Sequence, residues 1–154
     1  MADIRVRVAY ERRTLVERLS GKAGPFDTMA DVLIFASAVG AFENVFTPIE
    51  RPASDPIRME VFEKRNYRAA IDLLAVRHTS NPDILGDSAE QTRKRIKVFE
   101  GYATGGLSVL DRELKGVLDS DLLVVLLLLM GRAKDTSTDM GDDDGFDLAR
   151  LMKR

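Results

Sequence analysis

The sequence predicts a mainly α-helical protein, a compact single-domain helical bundle of about five helices with a small two-stranded β element joining residues 4–8 to residues 57–62. Three observations support this class. Apolar residues recur at helical spacing through most of the chain, capping residues stand where these stretches begin, and 154 residues suffice for one domain with a substantial core.

The composition excludes several kinds of chemistry. The chain has no cysteine, which rules out disulfides, thiolate metal sites and a cysteine nucleophile. Its 23 Lys and Arg residues nearly balance 25 Asp and Glu residues, so the net charge of −2 does not indicate a nucleic-acid or membrane-surface protein. The first residues contain charges and no long apolar stretch, so we expect no secretory signal and a cytoplasmic protein.

The chain begins with a predicted strand followed by a predicted helix. Residues 4–8 alternate apolar and charged side chains, which is typical of a half-buried strand. The apolar period then becomes helical, which predicts a helix that ends near Gly21 and carries Leu15, Val16 and Leu19 on its apolar face.

A capping signal marks the start of the second helix. Thr28 is followed three residues later by Asp31, a variant of the capping box in which the acid also suits the positive end of the helix dipole. We expect this helix to end at Gly40. Its apolar stripe consists of Met29, Val32, Leu33, Ala36 and Val39.

Two interpretations are open for the segment that follows. Prolines at 48, 52 and 56 predict an irregular connection. Residues 57–61 then alternate apolar and charged side chains, which favours a second strand paired with the first. The alternative is a helix with Asp55 as its N-cap and Pro56 at its first position.

Two further helices are predicted from capping residues and turn signals. Asn66 is an expected cap for the third helix, which ends before the turn signal Asn81-Pro82. Ser88 and Gln91 form a capping box, and apolar residues then recur at steps of three and four. This pattern predicts one long helix from Ala89 to Leu114.

Glycines at 101, 105 and 106 interrupt that long helix. Each glycine in a helix interior costs about 1 kcal/mol relative to alanine, so their presence needs a reason. Either the helix bends, or another backbone packs closely against the small face made by Gly101 and Gly105. A partner protein that docks on this face is the functional alternative.

Leu122–Met130 is an unbroken apolar run. It is too short to cross a membrane, because a spanning helix needs about 20 such residues. We expect a helix buried on nearly all sides, with a partner-binding or oligomer-forming face as the alternative.

The composition changes sharply after this run. We divide the chain into a helical domain (1–132), an acidic flexible linker (133–145) and a short C-terminal helical segment (146–154). A segment of that length is not a stable helix alone, so it either frays or docks onto something else.

The sequence contains no recognisable catalytic or cofactor motif. His78, the single histidine, falls at the end of a predicted helix, and no nucleophile signature accompanies it. The acidic tract Asp142–Gly145 fails the spacing of a calcium loop, and the glycines lack the lysine of a phosphate loop. We therefore expect no metal, no cofactor and no enzyme, with a hydrolase built on Glu100 and Asp111 as the weakest alternative.

Basic residues cluster in two places. One cluster lies near the start of the long helix, and the other lies in the first elements at Arg5, Arg7, Arg12, Arg13 and Arg18. If both clusters share a face, phosphate contacts become available despite the balanced total charge. The candidate DNA contacts are Arg93, Lys94, Arg95 and Lys97.

Three stretches, residues 24–40, 56–63 and 99–107, resemble in that order the DNA phosphorothioation-associated protein 4 family, also called dnd system-associated protein 4. The likeness runs from Ile4 to about Met130, and the acidic tract and the Phe146 segment look like additions beyond it. The family pattern in the last stretch reads Phe-Glu-Glu-Tyr-Ala-Asn-Gly-Gly-Leu. This chain has Gly101 in place of the second Glu and Thr104 in place of Asn.

The resemblance implies a bacterial or archaeal cytoplasmic protein of systems that replace a non-bridging phosphate oxygen of DNA with sulfur and restrict unmodified invading DNA. In such systems the sulfur chemistry and the DNA cleavage belong to other components. We therefore expect a non-enzymatic accessory subunit that binds other proteins of the system, or a second copy of itself, and no membrane. Its expected partner contacts are Gly101, Gly105, Leu122, Leu126, Phe146 and Leu151. The alternative is a DNA-contacting module that uses the basic cluster at residues 93–97.

Overall fold

A computed structural model describes the backbone of residues 3–141 and the side chains of residues 3–132 and 134. Its described part confirms the predicted mainly α-helical class, with six α-helices and one two-stranded sheet. In chain order these are β1 (Arg5–Val6), α1 (Arg13–Leu19), α2 (Met29–Glu43), β2 (Ile57–Arg58), α3 (Met59–Lys64), α4 (Arg68–Thr79), α5 (Ala89–Glu113) and α6 (Leu122–Gly141).

The predicted strand pairing is confirmed, but the second strand is shorter than expected. β1 and β2 are antiparallel, with Arg5 opposite Arg58 and Val6 opposite Ile57. The chain then enters α3 at once, which turns Phe62 into the core against Phe99, with ring centroids 5.6 Å apart. Residues 57–62 are thus part strand and part helix, because Met59 and Phe62, three residues apart, place their side chains on one helix face against the core.

α2 and α5 form the centre of the bundle and pack against each other along most of α2. The capping box of α2 is confirmed: Thr28 accepts a hydrogen bond from the Asp31 N–H at 3.2 Å, and its own N–H donates to Asp31 at 3.1 Å. The helix continues past Gly40 to Glu43, because Gly40 serves contact rather than termination. A Cβ at Gly40 would lie 2.1 Å from the carbonyl oxygen of Tyr102 in α5.

The boundaries of the next two helices follow the capping signals closely. α5 begins after Ser88, whose hydroxyl accepts the N–H of Gln91 at 3.1 Å. α4 begins one residue later than an Asn66 cap requires, because Asn66 adopts a left-handed conformation and Tyr67 precedes the helix.

α6 begins at the apolar run as predicted, yet it continues to Gly141. The described part of the expected linker, residues 133–141, is therefore helical. Once a helix has been nucleated, each added residue gains a hydrogen bond at little cost, so polar residues can extend an apolar helix. Residues 142–145 and the expected C-terminal segment with Phe146 and Leu151 lie outside the described residues. No helix among the described residues is both long and apolar enough to span a membrane.

Candidate interaction surface

One side of α6 packs on the core of the domain. Leu122 and Leu126 are only 1% and 3% exposed, and Val125 and Leu129 are partly buried beside them. These positions follow the i, i+3, i+4, i+7 spacing of a single helix face. The two leucines that we expected to contact a partner therefore stabilise the domain itself.

Between Leu122 and Met130 the other side of the helix is also apolar and faces water, so the expectation of burial on nearly all sides is not met. Its residues are between 53% and 63% exposed. A contiguous apolar patch of this kind is typical of a protein interaction site, whereas isolated exposed leucines are ordinary. We call this patch the α6 outer face; it consists of Leu123, Val124, Leu127, Leu128 and Met130.

Part of the α6 outer face has helical geometry of its own. Val124, Leu127, Leu128 and Gly131 stand at i, i+3, i+4 and i+7, on the side of the helix opposite the buried leucines. A Cβ at Gly131 would meet no atom within 4 Å. These four residues, which we call the outward stripe, form the kind of row against which another helix packs.

Gly101 and Gly105, also expected as partner contacts, are covered by the chain itself. The segment after α2 crosses them: a Cβ at Gly101 would lie 2.2 Å from the Phe46 ring, and one at Gly105 would lie 2.0 Å from the Val45 carbonyl oxygen. The Thr47 N–H also donates to the Gly101 carbonyl at 3.0 Å. Close approach of another part of this chain is therefore the reason for these glycines, and they form no surface for a partner.

Phe46 belongs to a small aromatic cluster that accounts for the single histidine. Its ring stacks on His78 with centroids 4.6 Å apart and meets Tyr102 edge-on at 5.1 Å. His78 Nδ1 and the Tyr102 hydroxyl lie 2.9 Å apart and share a hydrogen bond. The contacts of His78 are thus those of a packing residue at the end of α4.

The fold buries one of the four expected DNA contacts and leaves the other three exposed. Arg95 is 3% exposed; its guanidinium donates to the carbonyls of Ile84 and Gly86 at 2.6 and 2.9 Å and pairs with Asp72 at 3.0 Å. It holds the connection before α5 in place and cannot reach DNA. The exposed members of the cluster are Arg93, Lys94 and Lys97, of which Lys94 pairs with Glu90 at 3.2 Å.

The basic residues of the first elements all have acidic partners. Their shortest ion-pair distances lie between 2.6 and 3.2 Å. Three of these pairs attach the N-terminal segment to α5 and to the turn that follows it. This cluster therefore adds little free positive charge to residues 93–97; the five pairs are Arg5–Asp3, Arg7–Glu100, Arg12–Asp111, Arg13–Glu17 and Arg18–Asp119.

The two carboxylates considered for hydrolysis lie apart and have separate partners. Glu100 is 3% exposed and accepts the Arg7 backbone N–H at 2.6 Å and its guanidinium at 3.0 Å, which raises the pKa of Arg7. Asp111 is exposed and pairs with Arg12. Eleven residues of helix separate them by about 16 Å, too far for one acid–base pair. Among the described residues no three His, Cys, Asp or Glu side chains cluster as metal ligands do.

The sequence predicted only part of the polar network around Asp31: the cap with Thr28, but not the contacts with Arg65 and Tyr67. Asp31, expected as a helix cap, is 8% exposed and also accepts Arg65 Nε and Nη2 at 2.6 and 2.8 Å and the hydroxyl of Tyr67. Burial alone would raise the pKa of Asp31, but the hydrogen bonds from Tyr67, Arg65 and Thr28 outweigh it, so the pKa lies below its ordinary value. The network attaches the start of α2 to the turn between α3 and α4.

The sequence matches the family model of DNA sulphur modification system-associated protein 4 over residues 5–151. The chain belongs to this family. No curated protein and no solved structure matches it. The family name indicates association with a DNA sulphur modification system, which agrees with the resemblance found in the sequence.

The extent of the match corrects one expectation. We expected the acidic tract and the segment at Phe146 to be additions to the family, but the match continues to residue 151. The family therefore includes the whole of α6 and most of the chain that follows it. The α6 outer face lies inside the matched region and is not an appendage of this particular sequence.

Proposed function

We propose that this protein is a non-enzymatic accessory subunit of a DNA sulphur modification system, and that its α6 outer face binds another protein of that system. One observation carries the proposal: five large apolar side chains on a single helix remain more than half exposed side by side, whereas the large apolar side chains exposed on the other described helices, such as Leu73 of α4, stand singly. Exposed apolar anchors of this kind provide most of the energy in protein interfaces.

The chemistry of the side chains supports a role without catalysis. Sulfur transfer through a protein requires a thiolate, and the sequence contains no cysteine. Hydrolysis requires groups that converge on one substrate atom, whereas Glu100, Asp111 and His78 each contact a different neighbour. The resemblance to phosphorothioation proteins adds the cytoplasm as the proposed location and restriction of invading DNA as the proposed context.

Co-purification tests the proposal. The full chain is co-expressed with each DNA sulphur modification protein of the same organism, and the complex is isolated at low and at high salt. We expect one of these proteins to be retained at both, because an apolar interface is not weakened by screening.

A matched pair of variants assigns the contact to α6. Leu127→Glu places a charge in the α6 outer face, while Leu73→Glu does the same at a 71% exposed leucine of α4. We expect the first variant to lose the partner and the second to keep it, with both retaining the helical circular dichroism of the wild type. Equal binding by the wild type and Leu127→Glu, or no retained system protein at all, contradicts the proposal.

Direct DNA contact is a second candidate, supported by Arg93 and Lys97. Both are exposed one helical turn apart, and neither has an ion-pair partner among the described residues. A gel shift at low salt with plain and sulphur-modified duplexes tests it. Binding should fall steeply with salt and disappear when Arg93, Lys94 and Lys97 are replaced by Ala, because phosphate contacts release counterions. Arg95 is left unchanged because it supports the fold, and absence of any shift contradicts this candidate.

A further inference from the structure

The aromatic cluster of Phe46, His78 and Tyr102 is buried on one side only. Tyr102 is 6% exposed and meets both other rings edge-on, with ring centroids 5.1 and 5.4 Å away. Phe46 and His78 are exposed, and their rings stack at an interplanar angle of 20°. We call these two residues the stacked pair. It presents flat aromatic surface to water.

A row of basic residues on α5 leads to the stacked pair. The Phe46 ring occupies the place that a side chain at position 101 would take, since a Cβ there would lie 2.2 Å from the ring. Lys97 and Arg93 precede that position by one and two helical turns on the same side of α5. They lie about 6 and 12 Å from it along the helix axis.

Another cation lies on the α4 side of the stacked pair. Arg77 immediately precedes His78 and is exposed; its guanidinium donates to the Ala41 carbonyl at 3.0 Å, which leaves its charge unbalanced. Within the described part of the chain, Arg77, Arg93 and Lys97 take part in no ion pair. We call them the three cations. The stacked pair is therefore flanked by unbalanced positive charge on two helices.

Flat aromatic surface beside unbalanced cations suits a strand of nucleic acid whose bases are unpaired. In a duplex the bases stack on one another, whereas a single strand offers phosphates to cations and a free base face to aromatic side chains. We infer that the stacked pair binds a base of single-stranded nucleic acid and that the three cations contact its phosphates. The inference rests on the second candidate of the proposed function to the extent that it uses Arg93 and Lys97, but it names a different form of nucleic acid.

Fluorescence anisotropy at low salt tests the stacking with four probes of equal length: a thymidine oligomer, a uridine oligomer, an abasic DNA strand and a DNA duplex. The first two distinguish DNA from RNA as the ligand. We expect the tighter of them to bind about tenfold more tightly than the abasic strand, which has phosphates and no bases. No binding of any single strand, tighter binding of the duplex, or equal binding of the abasic strand overturns the inference.

Two substitutions of Phe46 assign the base contact. Phe46→Leu keeps an apolar contact with Gly101 but has no ring, so it should bind the abasic strand and the base-containing strands equally. Tyr10→Leu is the control, because Tyr10 is 53% exposed and lies outside the cluster, with its ring under Arg51. The chain has no tryptophan, so Phe46→Trp provides a direct signal. Its fluorescence should be quenched by the base-containing strand and not by the abasic one; no quenching, or a base preference that survives Phe46→Leu, overturns the inference.

Lysine substitutions on α5 assign the phosphate contact. Lys97→Ala should weaken binding of every single strand and reduce the slope of log affinity against log salt concentration by about 0.7, because one phosphate contact is lost. Lys115→Ala is the control: Lys115 is also exposed but follows the far end of α5, and its loss should change neither quantity. Equal effects of the two substitutions overturn the assignment of Lys97.

This inference and the proposed function fail in different ways. A protein that shifts duplexes but shows no preference for bases supports the second candidate and overturns this inference. A protein that prefers base-containing single strands and captures no system protein supports this inference and contradicts the role proposed for the α6 outer face.

Discussion

The residues of the α2–α5 contact and those of α6 both suggest an interface in the sequence. In the structure the chain itself covers the first, whereas one side of α6 stays exposed. Glycines in α2 and α5 allow the two backbones to meet, and the segment after α2 covers the remaining small face. α6 is covered on one side only, and its outer leucines stay in water. Small residues thus mark contacts that the chain can make with itself. A helix that is apolar on every side has more apolar surface than one small core can bury.

The largest effect is expected where the backbones are closest. A Cβ at Gly106 would lie 1.7 Å from the Ala36 carbonyl oxygen, so Gly106→Ala should force α2 and α5 apart and lower the free energy of unfolding by about 3–5 kcal/mol. Urea unfolding at low protein concentration measures this. Gly131→Ala is the matched control on α6: with open space around it, the same change should stabilise the helix by up to about 1 kcal/mol. Equal effects at the two glycines would contradict the close packing at Gly106 and the open space at Gly131.

Two adjacent leucines of α6 differ in burial, and this difference can be tested by mutation. Leu122 is 1% exposed and Leu123 is 55% exposed. Leu122→Ala should therefore cost about 2–4 kcal/mol of unfolding free energy, because it leaves a cavity in the core, while Leu123→Ala should change it by less than about 0.5 kcal/mol. Thermal and urea unfolding of both variants measure the difference. A costly Leu123→Ala beside a neutral Leu122→Ala would mean that α6 is rotated from the orientation described.

A smaller effect is expected at the polar attachment of α2. Asp31→Asn removes the charge that Arg65 and Tyr67 bind and should lower the free energy of unfolding by about 2 kcal/mol at neutral pH. Asp27→Asn is the control, because Asp27 is highly exposed and lies 3.9 Å from Arg65; it should change the free energy by less than about 0.5 kcal/mol.

The same network predicts how stability depends on pH. The pKa of Asp31 in the folded protein lies below its ordinary value of 3.8. Its contribution is therefore complete well above pH 3.8 and is lost as the pH falls through the lower pKa of the folded state. The difference in unfolding free energy between the wild type and Asp31→Asn should be constant near neutral pH and should shrink below pH 3.8. A difference that grows as the pH falls would contradict this assignment.

Local signals in the sequence predicted most of the fold. The Thr28–Asp31 capping box, the Ser88 cap and the apolar run from Leu122 each mark a helix start that the structure confirms. The residue that completes the Asp31 network could not be found in this way, because Arg65 is 34 positions away and nothing in the intervening sequence links the two. Arg95 likewise is predicted from the sequence to be an exposed basic residue. In the structure it is buried because it donates to the carbonyls of Ile84 and Gly86.

By itself the sequence determined where the helices begin, that thiol chemistry is absent, and which family the chain belongs to. Tertiary structure alone decided which side of α6 is buried, whereas the apolar face predicted for α1, with Leu15, Val16 and Leu19, is the one that the structure buries. The physical reason is that periodicity orients a helix only when its polar and apolar sides differ. α6 is apolar all around from Leu122 to Met130, so only its contact with the core separates Leu122 and Leu126, which hold the domain together, from Leu123 and Leu127, which remain available to a partner.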